Sequence, residues 1–441
     1  MKSFRPIRIA VLTALFATQL LVGAHSHAAE KAPEPKITIK VTTHRASATY
    51  RKRESVFFSI DVRQGDKPLS EGAVNYIIND EGPNQIRKGT LKLTGKPLKL
   101  EESMATAGFL RCVVTHQPKS GRAVRGIGAA AIAPLEIGLS LPVPDDFDSF
   151  WKKQKAALAE VPMESTLTPV EDADKSIEIF DAQIDSIGDV PVSGYFGRPK
   201  KAAKGSLPIV LWVHGAGVRS SSRGNAIKGA REGFLSMDIN AHGIPNGKPG
   251  KFYSALSAGK LKNYRHEGRE DRDTVYFHGM FLRIVRALDF LTAQPEWNGK
   301  VVAVIGHSQG GAQALVAGGL DPRVTFIGSG VPAMCDHSGR AANRINGWPK
   351  IVPMGKDGKP DPAILEAARY YDAVNFASRF KGEAILSAGF IDTTCPPTTC
   401  YAAYNQLKGR KHMIDKPQMG HAAPRDVQDA FWAAAKKHAG K

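Results

Sequence analysis

Gly306-His307-Ser308-Gln309-Gly310 fits G-x-S-x-G. That spacing can set a serine at the apex of a sharp turn, where small neighbours let the hydroxyl stand clear. A serine hydroxyl is a poor nucleophile near neutral pH, so it needs a base, and the base needs an acid to orient it. Asp392 and His421 lie downstream and have the required types. An attacking serine also needs two N–H donors for the oxyanion. The backbone N–H of Gln309 is one, and that of Ala216, after His214-Gly215, is the natural second. The pentapeptide alone is weak evidence in a chain with 43 glycines. The order serine, acid, histidine and the strand that precedes each of them carry the reading.

Other polar residues fall near the same edge. His242 is a candidate for substrate contact, together with Asp238, because both follow a strand-like run. His307, at the variable position of the pentapeptide, either lines the pocket or packs. His214 is expected to structure its turn. Asp336 and His337 are expected to serve loop hydrogen bonding rather than chemistry.

The elements that must hold these residues are legible as apolar runs. Val301 to Ile305 is β-branched and unbroken, as suits a strand buried on both faces, and Ala312 to Ala317 reads as a helix start. Pro208–Val213 is an apolar strand ending in His214-Gly215. Gly233–Ile239, Val324–Gly330 and Ala384–Gly389 are further strands, and Met413-Ile414 is a weak last one. Helical patterns cover Lys152–Ala159, Phe281–Leu291 and Asp426–His438. Strands alternating with helices predict a mostly parallel sheet covered on both faces. With Ser308, Asp392 and His421 each just after a strand, the pattern is that of an α/β-hydrolase fold. Residues 243–273, rich in Gly, Pro and basic side chains, read as a long loop over the active edge.

Upstream, residues 36–139 read as all-β. Alternating runs such as Ile37–Val41 and Ser55–Val62 are separated by turn signals, which predicts a small β-sandwich of immunoglobulin-like kind. Leu141-Pro142-Val143-Pro144 is a linker, and residues 141–441 form the catalytic domain. Residues 1–29 read as a signal peptide: Lys2, Arg5 and Arg8 precede an apolar stretch that ends in small residues. The chain is therefore expected to be periplasmic or secreted, with no integral membrane segment after processing. A formal net charge of +18 is scattered and comes with no nucleic-acid motif, so no nucleic-acid partner is expected. Cys112, Cys335, Cys395 and Cys400 leave disulfides and free thiols equally open, and their spacing is not a zinc pattern.

Several stretches taken in order resemble the acetyl xylan esterase / cephalosporin C deacetylase family. They are Phe147-Asp148-Ser149-Phe150-Trp151, Gly306–Gly311, Leu320-Asp321-Pro322-Arg323-Val324, Val331–Asp336, Tyr371–Ala377 and Asp392-Thr393-Thr394-Cys395-Pro396-Pro397-Thr398. The resemblance runs from about Leu141 to the C-terminus. It implies a serine esterase acting on acetylated oligo- or polysaccharides with no metal or cofactor, and it supports Ser308, Asp392, His421 and the Gln309 donor. The chain departs from the family at three places. Asn240-Ala241-His242 stands where Arg-Gly-Gln is usual, Ala216 where tyrosine is common, and Ala422 where glutamate follows the histidine. The leading β region also sets it apart from compact members, so the oligomeric state stays open. Two other readings compete. One is a peptidase of the prolyl oligopeptidase type, which usually has a much larger β domain. The other is a non-catalytic glycan-binding protein, against which the intact Ser308, Asp392 and His421 set speaks. Short acyl groups on a hydroxyl-rich substrate are expected, because Lys248, Lys251, Lys260, Lys262, Arg265, Arg269 and Arg272 lie in the segment predicted to overhang Ser308.

Overall fold

The computed structural model describes residues 36–441. The leader expected at 1–29 lies outside the described residues. Nine strands come first: β1 (Ile37–Thr43), β2 (Thr49–Tyr50), β3 (Val56–Gln64), β4 (Lys67–Pro68), β5 (Ala73–Asn79), β6 (Gln85–Lys92), β7 (Leu98–Glu102), β8 (Gly108–His116) and β9 (Val124–Ile132). Strands β1, β3, β4 and β7 form one sheet, and the other has the order β2-β9-β8-β5-β6. Period-two alternation builds the core between them. Val56, Phe58, Ile60 and Val62 of β3 meet Val74, Tyr76 and Ile78 of β5 and Leu110, Cys112 and Val114 of β8.

Strand β8 is buried on both faces except near its end. Its even-numbered residues fill the sandwich, so Phe109 and Arg111 point the other way, towards the rest of the chain. Phe109 packs edge-on against Phe390 with ring centroids 5.1 Å apart. Residues Ile37–Lys441 accordingly form one compact unit. The segment after β9 is tied down as well: Asn405 donates to the carbonyls of Pro134 and Ile137, and Ser140 donates to the Asp336 carboxylate.

Helix α1 (Phe147–Ala159) buries Phe150, Trp151 and Leu158, the stripe its sequence predicts. The large sheet follows: β10 (Ser165–Pro169), β11 (Ile177–Ile184), β12 (Val192–Pro199), β13 (Leu207–Val213), β14 (Leu235–Ile239), β15 (Trp297–His307), β16 (Phe326–Gly330), β17 (Glu383–Gly389) and β18 (Lys411–Lys416). Its order is β10-β11-β12-β14-β13-β15-β16-β17-β18. The first three strands pair antiparallel and the run from β14 to β18 is parallel. The remaining helices are α2 (Arg223–Arg231), α3 (Gly250–Ala258), α4 (Phe277–Thr292), α5 (Gln309–Leu320), α6 (Pro362–Arg369), α7 (Ala373–Ala377), α8 (Pro397–Gln406) and α9 (Arg425–His438).

Strand β13 shows why the parallel strands are apolar throughout. Ile209, Leu211 and Val213 face the main core with α4 and α5. Val210 and Trp212 face Phe431 and Trp432 of α9. Both faces are covered, so alternation gives way to a continuous apolar run. One expectation is corrected here. Residues 243–273 are not a bare loop, because α3 and a short 3₁₀ turn at Tyr264–His266 lie within them. Pro249 and Gly259 bracket α3, and its one buried residue, Tyr253, leaves a weak periodic signal.

Candidate active site

Strand β15 ends at His307 and α5 begins at Gln309, so Ser308 is the whole turn between them. Its φ of 57° and ψ of −122° are unusual for a residue with a side chain. The turn is held from both sides: the Ser308 N–H donates to Gly330 O at 2.8 Å, and the Ser308 carbonyl accepts from Ala312 and Ala333 at 3.0 Å each. Glycine is required on both flanks. A Cβ on Gly306 would run into the Gly310 carbonyl, and one on Gly310 into the Val213 carbonyl.

Asp392 follows β17 and His421 follows β18, on the two strands beyond β16. The Ser308 hydroxyl lies 3.0 Å from His421 Nε2, and His421 Nδ1 lies 2.8 Å from Asp392 Oδ2. A carboxylate can only accept, so Nδ1 carries the proton and Nε2 is the acceptor for the serine hydroxyl. The other carboxylate oxygen, Oδ1, accepts from the N–H groups of Thr394 and Cys395 at 2.8 and 2.9 Å. Asp392 is fully buried, whereas the His421 side chain is 28% exposed. The arrangement is a buried acid, a half-open imidazole and a hydroxyl at the surface of the sheet edge. Chemically it can draw a proton from Ser308 as that oxygen attacks.

The Gln309 N–H is the first of α5, one residue past the serine. Gly215 runs beside the elbow, and a Cβ on it would lie 3.5 Å from Ser308 Cβ. Ala216 follows at once. His214 holds that turn, as its position in the sequence predicts. Its Nε2 accepts from the Ala241 N–H at 3.1 Å, which leaves the proton on Nδ1 to donate to Gly215 O at 2.6 Å. Burial pushes the His214 pKa down to about 3, so the ring stays neutral in this role.

The other sequence candidates have different surroundings. His242 is buried against Tyr264, with ring centroids 4.7 Å apart, and shares a 2.8 Å hydrogen bond with the Tyr276 hydroxyl. It borders a cavity of about 510 Å³ with Tyr276, Leu261 and Arg283. His307 turns its ring to the α9 side and stacks on Phe431. There it borders a second cavity, of about 360 Å³, with Trp212 and Asp238. Among the described residues neither ring hydrogen-bonds to Ser308, Asp392 or His421. Asp238 accepts from the Ser222 N–H and from Asn225, anchoring the start of α2. Asp336 binds Ser140 and Arg344, the structural part expected of it. His337, expected to serve loop hydrogen bonding, is fully buried, and among the described residues neither of its ring nitrogens has a partner.

The segment predicted to overhang Ser308 reaches the site through Tyr264, whose hydroxyl donates to Gln309 Oε1 at 3.0 Å. Of its basic residues, Arg272 pairs with Asp146, and Arg269 donates to Ile351 O. Lys248, Lys251, Lys260, Lys262 and Arg265 are exposed. Tyr264 itself was not marked by any sequence pattern. Cys395, read in the sequence only as a cysteine of open pairing and as part of the Asp392–Thr398 stretch, offers a donor atom within 4.8 Å of those of Asp392 and His421. As a metal donor set this group is poor. Both Asp392 oxygens already accept hydrogen bonds, and burial pushes the Cys395 thiol well up. All four cysteines are buried free thiols.

A mostly parallel sheet with a serine elbow between strand and helix, and acid and histidine on later strand ends, is an α/β-hydrolase fold. Residues 139–436 match the family model described as Acetyl xylan esterase (AXE1), and the chain belongs to the acetyl xylan esterase family. A curated relative, the acetyl esterase Axe7A of Xylanibacter ruminicola, is 34% identical over 282 residues, covering 63% of this chain. The match spans 63% of that relative's own length. An acetyl xylan esterase from Paenibacillus sp. R4 superposes with a TM-score of 0.60 at 27% identity, over 69% of this chain and 98% of that one. Acetyl xylan esterase 1 from Thermoanaerobacterium sp. JW/SL YS485 gives 0.57 at 22% identity, over 68% and 97%, a likeness of fold.

Proposed function

We propose that this protein is a serine esterase that removes acetyl groups from acetylated carbohydrates through an acyl-enzyme. The observation that carries the reading is the continuous relay from Ser308 through His421 to Asp392, at 3.0 and 2.8 Å, in a chain of the acetyl xylan esterase family. Ser308 Oγ attacks the acetyl carbonyl carbon while its proton passes to His421 Nε2. The Gln309 and Ala216 N–H groups receive the oxyanion. The bond from carbon to the sugar oxygen then breaks, and His421 returns the proton to that oxygen. Water, deprotonated by the same imidazole, cleaves the acyl-serine and releases acetate. Asp392 keeps the imidazole in one tautomer and stabilises its charged form.

The test is acetate release from acetylated xylo-oligosaccharides beside a p-nitrophenyl ester series from acetate to octanoate. Acetate release with kcat/KM falling along the series is the expected result. A higher kcat/KM for octanoate than for acetate, with no acetate from any sugar ester, overturns the deacetylase reading. We also infer export to the periplasm or medium from the basic, apolar and small-residue pattern of residues 1–29. Fractionation of expressing cells tests it, and retention of an uncleaved chain in the cytoplasm counts against it.

A further inference from the structure

We propose that the N-terminal β-sandwich positions the catalytic acid, through a buried Arg111–Glu81 pair that grips the loop carrying Asp392. The inference rests on the reading of Ser308, His421 and Asp392 given above. Arg111 lies on the outward face of β8, two residues past Phe109. Its Nη2 donates to the backbone carbonyl of Asp392 at 3.0 Å and pairs with Glu81 Oε1. Glu81 follows β5 in a left-handed conformation, φ 65°, with its own N–H held by Asn79 at 2.9 Å. Its second oxygen accepts from the Thr398 N–H at 3.2 Å and the Thr398 hydroxyl at 2.6 Å. The pair therefore holds the acid's segment at both ends, at residue 392 and in the first turn of α8. Between those anchors lie the two N–H groups, of Thr394 and Cys395, that bind Asp392 Oδ1.

The chemistry of the pair fits positioning better than packing. The Arg111 and Glu81 side chains are 8% and 0% exposed, a costly place for two charges, and the apolar core of the sandwich is complete without them. Burial pushes the Glu81 carboxyl up to about 7 against the pull of Arg111, and in its ionised form each charge cancels the other next to a catalytic carboxylate. A lone cation there would draw on Asp392, and a lone anion would compete for the imidazolium. As a pair they deliver one strong donor to the Asp392 carbonyl with little net field. Both residues lie outside residues 139–436, so this support comes from the part of the chain that the family match leaves out.

The experiment uses the full chain in four forms: wild type, S308A, R111M and the double variant E81Q/R111M. R111M alone leaves Glu81 buried without its cation, so the carboxyl takes up a proton. The double variant removes both charges and keeps an acceptor for Thr398, so it preserves a folded test. For each form, kcat and KM on an acetate ester and the rate of Ser308 labelling by a fluorophosphonate are measured, with near-ultraviolet circular dichroism to certify the fold. In the folded double variant, kcat and the labelling rate are expected to fall by about ten- to hundredfold, with KM within about twofold. A folded double variant whose kcat and labelling rate stay within about twofold of wild type overturns the inference, and so does a loss confined to KM. S308A separates the two levels. If S308A keeps its activity, the catalytic reading fails. If S308A is dead and E81Q/R111M is fully active, only the role of the pair fails.

Discussion

The imidazole of His214 accepts the Ala241 amide proton across 3.1 Å and so joins the ends of two neighbouring parallel strands, β13 and β14. Its other nitrogen holds the Gly215 carbonyl, one residue before the proposed oxyanion donor Ala216. Replacing it by leucine removes both bonds and keeps much of the volume. His214→Leu is expected to cost about 1–3 kcal/mol in stability, because a buried N–H loses its acceptor. It should also lower kcat more than it raises KM, because the donor turn loosens. Denaturant unfolding and steady-state kinetics on one ester check both parts. Unchanged kcat in a destabilised variant would confine His214 to a structural part.

Ser308→Ala should fold normally and lose activity by several powers of ten, since only the attacking oxygen is removed. Activity above a few per cent of wild type would rule out Ser308 as the nucleophile. Asp392→Asn and His421→Ala should each lower activity strongly, and the double variant should be little worse than the poorer single one, since the residues act as a unit. Additive losses would argue against the relay.

Gly310→Ala tests the elbow by sterics alone. The added methyl would meet the Val213 carbonyl, part of a central strand that has no room to move. The expected cost is at least about 1–3 kcal/mol, read as a lower unfolding midpoint and poor soluble yield. A variant as stable as wild type would mean that the turn relaxes more easily than its packing implies.

His337 offers a pH-dependent stability test. Burial pushes its pKa down to about 3 from an ordinary value of 6.5. Above that ordinary value both folded and unfolded forms are neutral, so nothing is lost. Below it the unfolded ring takes up a proton that the folded ring refuses, and stability falls as pH falls towards 3. At pH 5 the loss from this residue is about 2 kcal/mol. His337→Leu should therefore show a smaller drop in unfolding free energy between pH 7 and pH 5 than wild type. An equal drop in both proteins would assign the acid sensitivity to other groups.

The four buried thiols give a chemical test. Unfolded protein should titrate four cysteines with a thiol reagent without prior reduction, and native protein almost none within minutes. Fewer than four in the unfolded, unreduced chain would reveal a disulfide, with Cys395 and Cys400 the nearest pair in sequence.

The sequence by itself determined the three residues proposed to react and the sheet that presents them. Ser308, Asp392 and His421 each stand at the end of an apolar run, and such runs are local signals set by burial on both faces. The small residues around Ser308 are likewise demanded by a turn of a few residues. Tertiary structure decided what no local pattern encodes. His242 and His307 have the right type and position for the site, yet one packs among tyrosines and the other on Phe431, because ring direction depends on neighbours far along the chain. Helix α3 was hidden in a basic, glycine-rich stretch because one buried tyrosine makes too faint a stripe. Arg111 and Glu81 looked like ordinary charges of a β region. They meet Asp392 and Thr398 across 281 and 317 residues of sequence, and only the docking of the sandwich on the hydrolase sheet brings those partners within hydrogen-bond reach.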